Sequence, residues 1–185
     1  MRNIRTFLMP CIFTALVGLA VSCTVAVKPG VVPGVKGINN VSLKGVSLIV
    51  VNGEKDALPF EIPNEKGQKI GITANKQAWT GKLVEALSGE LAKRGAQIRS
   101  KAPLQLTLAI PEIVFSMPGN SYQFTVKVAA SSSKGWSKNF EGTGQTTSGL
   151  LESTTALTDR LAGLALSEAV KAMLSDADFL KQLNQ

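Results

Sequence analysis

The 185-residue chain contains no histidine. Without one there is no Ser-His-Asp or Cys-His triad, no imidazole metal ligand and no side chain that ordinarily titrates near neutrality. Carboxylates are the remaining catalytic resource. Asp176 and Asp178 stand two residues apart before an apolar stretch, and Glu61 and Glu65 lie in a polar segment. Two carboxylates held about 5 to 9 Å apart across a cleft can hydrolyse glycosides. Neither pair has a sequence context that makes a cleft, so both are expected to be solvated. Ser131-Ser132-Ser133-Lys134 has the Ser-x-x-Lys spacing of some acyl-transfer enzymes. It falls in a Ser-rich turn between strands rather than at a helix start, which is the wrong context. No Gly-x-x-x-x-Gly-Lys or Gly-x-Gly-x-x-Gly pattern precedes a helix, so no nucleotide loop is expected. The expectation is a chain without catalytic residues, metal ligands or cofactor.

The two cysteines, Cys11 and Cys23, sit in a different kind of segment. Arg2 and Arg5 open it, Phe7 to Val21 is apolar apart from Thr14 and is interrupted by Pro10, and Ala20, Val21 and Ser22 lead to Cys23. The apolar run is shorter than the ~20 residues a spanning helix needs, and its flanks match a cleaved signal peptide. Its end resembles a lipobox, the site where bacterial lipoproteins receive diacylglycerol on a cysteine and are cut before it. Ala20 and Ser22 are tolerated variants of that pattern, and Val21 is acceptable. Residues 1–22 are therefore read as a lipoprotein signal peptide and Cys23 as the lipidated residue. An ordinary secretory signal cut at Ala20 or Ser22, leaving a free Cys23, is the alternative, and an uncleaved anchor a further one. Lipidation also accounts for a single exported cysteine, because Cys11 leaves with the signal. Acyl burial is worth ~0.8 kcal/mol per methylene, so a multiply acylated Cys23 would anchor the protein durably. Thr24 stands where an inner-membrane retention signal usually has Asp, which favours the outer membrane, with the domain facing the periplasm.

Composition bounds the chain beyond the anchor. Hydrophobic residues make up 44% and charged residues 18%, enough for one ordinary domain with a core. Removal of the signal leaves 18 basic and 13 acidic residues, a net charge of +5. That excess is spread thinly, with no basic block or stripe, so nucleic acid is not an expected partner. It is compatible with a mild attraction to anionic membrane surfaces.

The elements emerge from periodicity. Residues 23–40 hold Lys28-Pro29-Gly30 and Val31-Val32-Pro33-Gly34, and read as the lipidated cysteine and a flexible tether, with an added edge strand as the alternative. Residues 41–185 read as a single α+β domain. Val46 to Val51 is a β-branched run that predicts a buried strand. Asn52 to Thr73, with Pro59, Pro63 and Gly67, reads as a long loop with a small hairpin around Asn64 to Gly67. Trp79, Leu83, Leu87 and Leu91 share one face of a helix over Asn75 to Arg94, stopped by Gly95. At that spacing Trp79 is read as core rather than as a stacking platform. Leu104 to Ile110, continuing to Phe115, then Tyr122 to Val128, then Trp136 to Thr147 predict an antiparallel meander, with Pro111 marking a bulge or an edge. Leu150 to Leu174 is a second amphipathic helix, and Phe179 to Leu183 a short last one. The predicted fold is α+β: a mainly antiparallel sheet of about four strands with two long helices on one face, in the order β-α-β-β-β-α.

These features together resemble the YajG family of bacterial lipoproteins. The resemblance rests on the lipobox, the strand at Val46 to Val51, the helix ending Leu91-Ala92-Lys93-Arg94-Gly95, and the strand at Leu104 to Ile110. It continues through Tyr122, Lys134 to Phe140, and Asp178-Phe179-Leu180-Lys181-Gln182-Leu183. Where that family often shows Asp-x-Arg after the first strand, this chain has Glu54-Lys55-Asp56. The resemblance implies an outer-membrane lipoprotein facing the periplasm, without established enzymatic activity and without active-site residues to carry over.

Three functional readings are open, in this order. The first is a non-enzymatic binding or assembly module, held to the membrane by acyl chains on Cys23 and touching an envelope protein through a sheet edge or helix face. The second is an accessory lipoprotein that handles lipid or lipopolysaccharide beside a transport system, which requires an apolar groove or a basic patch. The third is a degradative enzyme using the acids of the Asn52 to Thr73 segment, which loses its basis if substituting them leaves every hydrolytic activity intact.

Overall fold

The computed structural model describes residues 24–38, 41–147 and 153–184. Cys23, Ala20, Val21 and Ser22, and the start of the second predicted helix at Leu150, lie outside the described residues.

The first β-branched run pairs as expected, but in a different kind of sheet. Strand β1 spans Val25–Val27, β2 Ser47–Asn52, β3 Pro59–Pro63 and β4 Lys69–Asn75. Helix α1, Lys76–Lys93, leads to β5, Gln97–Ile98, then β6, Leu104–Ser116, β7, Ser121–Ser132, and β8, Ser137–Thr147. Helices α2, Thr154–Ser175, and α3, Ala177–Leu183, close the chain. Five strands form one sheet in the order β5-β2-β6-β7-β8, and three form another in the order β1-β4-β3.

The fold is thus α+β, with corrections to the expected arrangement. There are two sheets rather than one of about four strands. β2 pairs parallel to β6, Leu48 beside Leu104 and Val50 beside Leu106. A parallel partner needs a crossover, and α1 supplies it. The expected meander is β6-β7-β8, antiparallel throughout. The expected long loop contains β3 and β4, an antiparallel hairpin whose turn starts at Asn64, where the sequence suggested one. The Asn64 side chain accepts from the Lys66 and Gln68 amides and holds that turn.

The described part of the expected tether is also corrected. β1 adds to β4 in parallel, Val25 beside Ile72 and Val27 beside Ala74. Residues 28–36 then run as a strap along α2 and the end of α1. The Gly30 amide donates to the Asp159 carbonyl at 3.0 Å, and Ser167 Oγ donates to the Pro33 carbonyl at 2.9 Å. Pro29 and Pro33 exclude helix here, as the sequence suggested. They do not exclude docking, because an extended strap can satisfy its backbone groups against a helix.

Alternation in β6, β7 and β8 places Leu106, Leu108, Phe124, Val126, Val128 and Phe140 on one face, where both long helices cover them. α1 contributes the predicted stripe of Trp79, Leu83, Leu87 and Leu91, all fully buried. Trp79 is core, as expected: its ring meets Phe124 edge-on with centroids 5.7 Å apart, and its Nε1 donates to the Val27 carbonyl at 3.2 Å. α2 lies on β8 at closer range. A Cβ on Gly142 would stand 2.1 Å from the Ala165 carbonyl oxygen, and one on Gly144 2.2 Å from that of Leu161. Backbone here packs on backbone, and only glycine in the strand permits it.

Candidate functional site

Three of the four acids named in the sequence, Asp176, Asp178 and Glu61, are engaged in structural contacts. Asp176 caps α3, accepting from the Phe179 amide at 2.9 Å, and takes the Lys138 ammonium at 2.7 Å. Burial pulls the Asp176 carboxyl upward, but the bonds from Lys138 and the Phe179 amide outweigh it and hold the group below its ordinary range. Asp178 shares the same lysine at 3.2 Å. Glu61 accepts from the Gly71 amide within the β3-β4 hairpin and pairs with Lys69 at 3.5 Å. Glu65 is exposed in the hairpin turn. Ser131 to Lys134 forms the end of β7 and its turn, with Ser132 Oγ accepting from the Lys134 amide. The structure gathers none of these into a common cleft, and no group of three or more potential metal ligands occurs among the described residues.

Glu54 has a role the sequence did not announce. The ladder between β6 and β7 shifts register between Ala109 and Glu112, a bulge at Pro111 as expected. Pro111 brings no amide of its own; the Ile110 amide faces the side of β2, just past the end of that strand at Asn52, and Glu54 Oε1 accepts it at 2.9 Å. Lys76 Nζ donates to the Pro111 carbonyl at 2.6 Å. The proline signalled the irregularity, but not which side chains would complete it.

Three surface features remain as candidates for contact: the β8 edge, the pole where the described chain begins, and a groove beside the strap. The first is the outer edge of β8. This strand is eleven residues long, is paired on one side by β7, and ends the five-stranded sheet. Its outward-facing side chains Glu141, Thr143 and Gln145 continue a polar sheet face with Lys127, Thr125 and Gln123 of β7. No described helix covers that face. Lys127 pairs with Glu112 at 2.6 Å, and that hydrogen bond raises its pKa.

The second surface is the pole where the described chain begins. β1 runs parallel to β4, so Thr24 and Val25 enter beside the β3-β4 turn. The β6-β7 turn, Met117 to Asn120, lies at the same pole, joined through the bridge between Asn64 and Phe115. Between the two turns is an open groove of about 320 Å³ with Ile70, Ile72, Phe115 and Met117 in its lining. Met117 is 63% exposed. A further groove of about 290 Å³ lies between the strap, at Val31 to Val35, and α1. It borders Glu90, whose carboxylate receives Lys93 and Arg94 at 2.8 Å each. Burial pushes the Glu90 carboxyl upward, and the Lys93 and Arg94 bonds more than reverse it, leaving it below 4.5.

No described helix is long and apolar enough to cross a membrane. No protein-family model matches the chain, and no significant match occurs among curated proteins. Solved structures with a related outline include a Xanthomonas campestris protein of the family DUF330. It is 15% identical, covers 82% of this chain and 92% of its own, and has a TM-score of 0.47. A protein described as a "putative lipoprotein" from Caulobacter crescentus is 13% identical over 74% of this chain and 88% of its own, with a TM-score of 0.41. The dodecameric PelC of Paraburkholderia phytofirmans is 15% identical over 80% of this chain and 95% of its own, with a TM-score of 0.30.

Proposed function

We propose that the protein is a lipid-anchored lipoprotein of the bacterial cell envelope, held in the outer membrane through acyl chains on Cys23, facing the periplasm, and acting as a non-enzymatic binding or assembly module. The anchor rests on the sequence before Cys23 and on the resemblance to YajG-family lipoproteins. The observation that carries the binding role is the β8 edge. An eleven-residue strand with one side unpaired among the described residues presents a row of amides and carbonyls, which an extended segment of a partner can extend as a further strand. The partner is an envelope protein that supplies such a segment. The bulge and charges that blunt many sheet edges are weak here: β8 has no register shift against β7, and Lys138 is turned to Asp176 and Asp178.

Two measurements test this. Mass spectrometry of the mature N-terminus, with membrane fractionation, is expected to find acylated Cys23 in the outer membrane; a free polypeptide beginning elsewhere ends the anchoring claim. Photocrosslinking in intact envelopes is expected to give one reproducible protein adduct from Gln145, on β8, and none from Lys134. Equal adducts from both positions, or none from Gln145, would remove the edge as the contact.

A further inference from the structure

We propose that the pole formed by the β3-β4 turn, the β6-β7 turn and the start of β1 rests directly on the lipid surface, with Met117 in the acyl boundary. This rests on the proposed lipidation of Cys23. A free tether over residues 24–40 would give the domain a reach of up to roughly 55 Å at full extension. The structure leaves almost none of it. Val25 is already in the sheet, Val27 is buried, and the strap is bonded to α2. Only Thr24 separates the lipid-bearing residue from a paired strand, so the bilayer lies within about two residues of β1, some 7 Å.

What stands at that pole suits contact with lipid. Met117 projects from its turn, and Ile70 and Phe115 line the groove behind it. Of the nearby charges, Lys69 is paired with Glu61, and Lys66 neighbours Glu65 in the turn. Around the groove these two cations and two anions cancel, with Arg160 standing farther off at Thr146 of β8, so the contact proposed there is an apolar one and not an attraction to anionic headgroups. The opposite pole is made by the β7-β8 turn with Lys134, tied to the start of β6 by the Ser133 amide donating to the Gln105 carbonyl. It stands roughly 35 Å away along β6.

The test uses the full-length protein, processed and acylated in cells, in two variants: Met117→Cys and Lys134→Cys. Each is labelled with an environment-sensitive fluorophore and reconstituted into phosphatidylcholine vesicles, with and without phosphatidylglycerol. The acylated Cys23 sulfur is a thioether and takes no label. The label at 117 is expected to shift to the blue and to be quenched by doxyl-labelled lipids, equally in both vesicle types. The label at 134 is expected to report water. Adding Cys23→Ser to the Met117→Cys variant should return the label at 117 to water. Flotation with vesicles while the label at 117 reports water overturns the orientation but leaves the anchor standing. A dependence on phosphatidylglycerol overturns the apolar contact. Failure to float, with no acyl mass on Cys23, overturns the anchor and the orientation together.

Discussion

Replacing Gly142 with alanine sets two physical effects against each other. Glycine inside a strand costs roughly 0.5–1 kcal/mol relative to alanine through backbone entropy, so propensity alone predicts that Gly142→Ala stabilises the protein. The packing predicts the reverse. The added methyl would lie 2.1 Å from the Ala165 carbonyl oxygen, 2.3 Å from the Ala169 nitrogen and 2.7 Å from the Ala169 Cβ. Ordinary contact requires α2 to retreat by roughly 1 Å. α2 cannot retreat freely, because Leu161, Leu166, Val170 and Met173 of the same helix are fully buried. Overpacking of this kind costs about 1–3 kcal/mol, and a clash with helix backbone belongs at the upper end. The expected net effect is a loss of about 2 kcal/mol. Gly89→Ala is the matched control: Gly89 lies within α1 with nothing within 4 Å of an added Cβ. That change is expected to gain up to about 1 kcal/mol. Urea unfolding of the chain from residue 23, with Cys23→Ser, measures both. Gly142→Ala at or above the parent stability would refute the direct contact between α2 and β8.

Other perturbations address the strap, the bulge and the ion cluster. Trp79→Phe removes the indole donor to the Val27 carbonyl and is expected to cost about 1–2 kcal/mol. Its particular signature is faster hydrogen exchange across residues 24–36; unchanged exchange there would show that the indole does not hold the segment. Glu54→Ala strands the Ile110 amide at a fully buried residue and is expected to cost about 1–3 kcal/mol, read from the urea midpoint. For Glu90 the fold lowers the carboxyl pKa below 4.5, so on acidification the unfolded chain takes up this proton first. The contribution of Glu90 is therefore complete above about pH 4.5 and is lost as pH falls through the lower folded value. Asp176 acts in the same direction from its ordinary 3.8. Urea midpoints taken from pH 6 downward should fall less steeply in Glu90→Gln than in the parent, and parallel curves would contradict the cluster's role.

Long, strongly periodic elements were legible in the sequence. The α1 stripe from Trp79 to Leu91, the β6-β7-β8 meander and the bulge at Pro111 all appear where alternation and proline chemistry placed them. The short strands were not. β1 has three residues and β5 two, and β3 begins and ends on proline. Such segments owe their conformation to partners distant in the chain, which periodicity cannot register. Period two likewise identifies a strand but not its neighbour, so the parallel union of β2 with β6 had no local mark. Gly142 and Gly144 did carry one, since glycine in a strand signals close backbone approach. Of the candidate contact surfaces, the meander containing β8 was readable, but its place at the edge depended on the full strand order. Met117 was visible only as a turn residue, because its neighbours Ile70 and Ile72 come from a strand the sequence did not reveal.

The strap imposes an order of events on folding. Lys28 bonds Asp159 across 131 positions, and Pro33 receives Ser167 across 134. Contacts of such separation close only after the intervening chain has been made and organised. The first residues past Cys23 are therefore among the last to settle, although they leave the ribosome before the rest of the domain. Under the lipidation proposed for Cys23, its acylation and cleavage would fall within that interval, before the strap is docked. Completion of α2 then takes up the slack, and the proposed anchor would mature before the domain closes.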